Sequence, residues 1–165
     1  MELSYFRINV GKEEAIKRLS DWIEEEISER TECEYSEVED KAVDEDGQLK
    51  GECLYCFENE GWTVFEDVTG GFSDIDADSW AQLAADNDFL FVSYDEEIPC
   101  AEMIIIEKGK IKVEYVYDAD NPEYFKDVYR DNEEINRLQD WTDVVKYTDE
   151  DILSYSDTGT ALILK

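Results

Sequence analysis

Ala101-Glu102-Met103-Ile104-Ile105-Ile106-Glu107-Lys108-Gly109-Lys110-Ile111-Lys112-Val113-Glu114-Tyr115-Val116-Tyr117 is the stretch whose reading decides the fold class. Met103 to Ile106 is apolar on both faces and suits an interior strand. Lys108-Gly109-Lys110 makes the turn, and Ile111, Val113, Tyr115 and Tyr117 then alternate with other residues on the return. Strand signals continue on the N-terminal side. Phe89 to Tyr94 reads as a strand closed by the acidic turn Asp95-Glu96-Glu97. Glu52 to Glu58 and Trp62 to Val68 read as a hairpin around Asn59-Glu60-Gly61. Between these pieces, Asp76 or Asp78 caps a short helix that carries Trp80, Leu83 and Ala84 and ends near Asn87.

Further out the period changes. Tyr5 to Val10 is a short apolar run closed by Gly11, a strand or a helix lead-in. Lys12 to Ile27 has helical spacing, with Ala15, Ile16, Leu19, Trp22, Ile23 and Ile27 on one face. Glu13 with Lys17, and Glu14 with Arg18, support it at the i, i+4 spacing. The acidic segment Ser28 to Lys50 holds a strand around Cys33 to Val38 and a turn at Asp46-Gly47. On the C-terminal side, Asp118 to Asn132 reads as a long loop around Asn121-Pro122. A helix follows over Glu133 to Trp141, with a second amphipathic stretch through Val144, Val145, Ile152 and Leu153. Thr160 to Leu164 reads as a closing strand. The expectation is one α+β domain over residues 1–165, mainly an antiparallel sheet with an N-terminal amphipathic helix and further short helices.

Charge bounds the function. The 165 residues hold 45 acids and 15 bases, a net of −30, with no histidine. Phosphate-backbone binding needs clustered Lys and Arg, so a nucleic-acid footprint is excluded, and anionic membrane docking with it. Imidazole-based catalysis and His-ligated metals are excluded as well. Disorder is not the explanation, because 42% of residues are hydrophobic and 13% aromatic, with only two prolines. Nor are the acids gathered in a tail: residues 1–60 hold 19 acids and 7 bases, and residues 61–165 hold 26 and 8. No apolar run approaches a membrane span, and the N-terminus has no signal-peptide pattern, so a cytoplasmic location is expected.

The motifs that invite chemistry each fall short. Cys53-Leu54-Tyr55-Cys56 has CxxC spacing, but a strand puts residues three apart on opposite faces, and no second CxxC exists. These thiols, with Cys33 and Cys100, read as small buried hydrophobes, with zinc and redox pairing as the alternatives. Asp74, Asp76 and Asp78 form D-x-D-x-D, yet Ser79 and Ala85 stand where a calcium loop needs Gly and Glu. No phosphate-binding glycine loop or nucleophile elbow is present, so neither catalytic residue, metal nor cofactor is assigned. What remains is a negative surface suited to a basic protein partner. Asp74, Asp76, Asp78, Tyr94, Asp95, Glu96, Glu97, Asp118, Asp120 and Glu123 are the candidate contact residues, because tyrosines within an acidic rim can anchor an interface. Tyr115 and Tyr117 are further candidates, and each of these tyrosines could equally be core.

Gly61-Trp62-Thr63-Val64-Phe65-Glu66-Asp67-Val68-Thr69-Gly70 resembles a block found in small bacterial immunity proteins of polymorphic toxin systems. Trp80, the Phe89 to Asp95 strand, the hairpin ending at Tyr117, Asp120-Asn121-Pro122-Glu123, and Glu133 with Asp140-Trp141 follow in compatible order. The resemblance spans roughly residues 61–151 and implies a cytoplasmic α+β protein that neutralises a cognate toxin, often a nuclease, without being an enzyme. Contact-dependent inhibition is the setting it suggests. One departure stands out: after Asn121-Pro122 the chain reads Glu123-Tyr124-Phe125-Lys126, where the family pattern is more polar and Asn-rich. The alternative reading of the charge is an acidic DNA mimic or regulator that blocks a nucleic-acid-binding factor.

Overall fold

A computed structural model describes residues 2–130, 137–147 and 158–165. It is α+β, with nine strands and three α-helices among the described residues. The chain folds into two compact units, one of residues 1–6 and 74–149, the other of residues 7–73 and 150–165.

The unit of residues 7–73 and 150–165 has the strand order β2 (Ile27–Cys33), β9 (Gly159–Leu164), β3 (Glu52–Asn59) and β4 (Trp62–Asp67), all antiparallel. Every residue of β9 is buried, because strands flank it on both sides and apolar side chains fill both faces. The β3–β4 hairpin turns on Glu60-Gly61, both at positive φ (49° and 83°), the two-residue geometry that matches strand twist. Helix α1 (Lys12–Trp22) buries Ala15, Ile16 and Leu19. It is shorter than the helical spacing suggests, and the chain before it, β1 (Glu2–Ile8), is a strand. The helix stops where Glu24-Glu25-Glu26 would load its negative end with acids. Glu26 instead exchanges both backbone hydrogen bonds with Lys165 (2.9 Å each), and Ile27 begins β2.

Cys33 to Val38 is not a strand. β2 ends at Cys33, Glu34 and Glu37 cap one another across a 3-10 turn at Tyr35–Glu37, and helix α2 covers Val38–Ala42. Glu37 accepts from the Glu34 amide at 2.9 Å, a local bond that competes with extended pairing. Cys53 and Cys56 lie in β3 opposite Ile163 and Thr160. Both thiols are buried and are pushed up to about 12, chiefly by loss of water. Their burial is that of small hydrophobes, as expected of cysteines inside a strand.

The unit of residues 1–6 and 74–149 has the strand order β5 (Phe89–Asp95), β6 (Cys100–Glu107), β7 (Lys110–Asp118) and β8 (Lys126–Tyr129), again antiparallel. Lys108-Gly109 turns β6 into β7 with φ of 49° and 79°. Helix α3 (Ala77–Ala84) is capped by Asp76, whose Oδ1 accepts from the Ser79 amide at 2.7 Å. It delivers Trp80 against Phe6, Phe89 and Phe91, with ring centroids 4.9, 5.1 and 5.0 Å away. Asp118 to Asn132 is not one loop. A 3-10 turn at Pro122–Tyr124 leads into β8, which pairs with Val113–Val116 of β7. Residues 137–140 are not helical and a 3-10 helix covers Trp141–Tyr147. The rest of the helix expected over Glu133 to Trp141 lies outside the described residues, as do Ile152 and Leu153. No helix among the described residues is long and apolar enough to cross a membrane.

Candidate partner-binding surface

Register places the acidic loops side by side. Asp95 lies opposite Cys100, and Cys100 lies opposite Asp118, so the 95–97 turn and the 118–123 loop share one end of β5–β7. Each loop is built around its first acid. Asp95 Oδ1 accepts from the amides of Glu97 (2.8 Å) and Ile98 (3.2 Å). Asp118 Oδ1 accepts from the amides of Asp120 (2.9 Å) and Asn121 (3.2 Å), and its Oδ2 takes the Asn121 side-chain amide at 2.9 Å. The Asn121 amide group and these backbone donors hold the Asp118 carboxyl below the usual range. The Ala119 amide donates to the Pro99 carbonyl at 3.0 Å and stitches the loops together. Asp95 and Asp118 therefore shape the surface, while Glu96, Glu97, Asp120 and Glu123 stand exposed on it.

Tyr94 is not an exposed anchor. It is only 6% accessible, and its hydroxyl donates to Glu96 Oε1 at 3.1 Å. Tyr94, Ala101 and Tyr117 are directly opposite one another, so their side chains share a face. Trp141 stacks on both tyrosines there, at 5.4 Å and 5.6 Å. Tyr115, opposite Met103, is buried too and meets Phe125 edge-on at 6.1 Å. The aromatic rings that do reach solvent are ones the sequence reading passed over. Tyr124 is 60% accessible and Phe125 53%, and Ile98 joins them at 59%. Their signal was present in the apolar departure Tyr124-Phe125 directly after a proline turn.

On the opposite face of the sheet, Asp74, Asp76, Glu102, Tyr124 and Lys126 line a pocket of about 340 Å³ with Ile75 and Val116 as apolar walls. Asp78 does not line it and stands exposed on α3. The amide of Asp74, at φ 61°, donates to Glu102 Oε1 at 3.3 Å. Burial, then the nearby Asp74 carboxylate, pushes the Glu102 carboxyl up to about 7. Lys126 is drawn towards Glu114 (3.8 Å), which Arg130 also meets at 2.6 Å. Among the described residues no group of three or more Cys, Asp or Glu side chains is placed to hold a metal ion.

Comparisons with family models, with curated proteins and with solved structures gave no match. The functional reading therefore rests on the chemistry of this surface.

Proposed function

We propose that the protein is an immunity-type binding module that neutralises a cognate basic toxin domain, a nuclease being one candidate class, by docking on the acidic end of β5–β8. The observation that carries this reading is the pairing of exposed apolar side chains, Ile98, Tyr124 and Phe125, with a surround of Glu96, Glu97, Asp120 and Glu123. Dense carboxylates attract a basic body and speed its approach, whereas desolvated aromatic side chains supply most of the affinity. A surface serving solubility alone would need the acids but not the exposed rings.

The test starts from the neighbouring reading frames: a secreted protein with a basic C-terminal domain encoded there would supply the ligand. Co-expression with this protein should restore growth, and the pair should form a stable complex. Asp95→Lys with Glu97→Lys should slow association, more at low salt than at high salt. Absence of a complex, or unchanged affinity and salt dependence in the double variant, would overturn the assignment of this end.

A further inference from the structure

Among the described residues, strand β8 is hydrogen-bonded on one side only, to β7. Which of its backbone groups face outward follows from the register. The Arg130 amide donates to the Lys112 carbonyl at 2.7 Å, so Arg130, Val128 and Lys126 point their N–H and C=O groups towards β7. The N–H and C=O groups of Asp127 and Tyr129 then point away from it. Lys126 to Val128 is exposed, and Phe125 and Val128 add accessible apolar surface beside these groups. β2 is also paired on one side only among the described residues, yet no large exposed hydrophobic residue lies on it.

We propose that an extended basic segment of the partner adds to β8 as a further strand, hydrogen-bonded to the backbone of Asp127 and Tyr129. The inference rests on the toxin-binding reading of this end and names how the partner is held. Main-chain pairing at an open sheet edge supplies affinity, and alternate side chains supply specificity. Charge selects the occupant. The two cations near the edge, Lys126 and Arg130, are committed to Glu114, whereas Asp127 joins no ion pair among the described residues. Glu123, Asp120 and Asp118 continue the acidic flank. A second copy of this chain, itself at −30, would be repelled.

The test probe is a blocked peptide of about eight residues alternating Lys and Val, long enough for one strand. Its control is the same peptide N-methylated at every residue, which keeps the charge and loses the amide donors on both edges. The full-length protein should bind the unmethylated peptide about tenfold more tightly, the effect of two or three net backbone hydrogen bonds. Hydrogen exchange should slow at the Asp127 and Tyr129 amides. Asp127→Pro removes an outward N–H without touching the β7 ladder and should abolish the preference, whereas Asp127→Asn, which removes only the charge, should retain it. Equal binding of the two peptides, protection at β2 in place of β8, or a preserved preference in Asp127→Pro would each overturn the proposal. If Asp127→Pro is unfolded by its melting curve, the exchange rates of the two wild-type amides decide. With the basic domain as ligand, failure of strand addition alone leaves the Asp95→Lys, Glu97→Lys effect intact, whereas failure of the toxin-binding reading abolishes that effect too.

Discussion

Strands β9 and β8 are paired by the same antiparallel rule and have opposite fates. β9 is buried at every residue between β2 and β3; β8 has, among the described residues, a neighbour on one side and exposes Lys126, Asp127 and Val128. The carboxylates follow the same division. Glu66, on β4, is pushed up to about 7, first by burial and then by the charges of Asp67 and Glu39. Its Oε1 takes the Tyr35 hydroxyl at 2.8 Å, while its buried Oε2 has no hydrogen-bond partner among the described residues. Asp118, near β8, is held below its ordinary range by an amide cradle in water. One region is organised for cohesion. The other keeps its polar groups available.

The contrast can be broken most directly in β9. Leu162→Ala should lower stability by about 2–5 kcal/mol, because a fully buried Leu leaves a cavity on truncation, and urea unfolding would read it. A loss below about 1 kcal/mol would mean that β9 is not the tightly packed strand described.

The next largest effect is on pH dependence. Burial pushes the Glu66 carboxyl up to about 7 from an ordinary 4.5, so the fold favours its protonated form. That contribution is present below pH 4.5 and is lost as the pH rises through 7, about 3 kcal/mol in total. Glu102 acts in the same direction. Glu66→Gln should therefore flatten the decline in urea midpoint between pH 5 and pH 8, with a residual slope from Glu102. Identical slopes in the two proteins would show that Glu66 does not titrate in that range.

At the small end, Val128→Ala in β8 should change stability by no more than about 0.5 kcal/mol, since the side chain is already 37% accessible. A larger loss would mean that β8 is held by packing and is no open edge.

What was legible in the sequence follows from the same physics. Both hairpins were readable because Glu60-Gly61 and Lys108-Gly109 supply the positive-φ pair between alternating strands. Asp76 was readable as a cap because a side-chain oxygen just before a helix has few other roles. β2 and β8 were not. Ile27-Ser28-Glu29-Arg30-Thr31-Glu32-Cys33 and Lys126-Asp127-Val128-Tyr129 show solvent too much surface for an apolar period to emerge. Within the candidate surface, composition pointed to the acidic loops, and register then brought them together. The exposed rings were missed because an aromatic beside an acid reads alike in a core and on a rim. Tyr94 turned out to lie beneath Trp141, and Tyr124 in the open.

The lysines of the β6–β7 turn have a consequence for approach. Lys108, Lys110 and Lys112 sit with Asp86, Asp88 and Glu107 at one end of the hairpin, where the formal charges cancel. The other end carries Asp95, Glu96, Glu97, Asp118, Asp120 and Glu123 with no cation in either loop. Along strands of roughly 25 Å, the rise of eight residues, the unit is therefore a dipole as well as a net charge. A cationic body drifting within a Debye length would exert a torque as well as a pull, turning the acidic end to face it before any atoms touch.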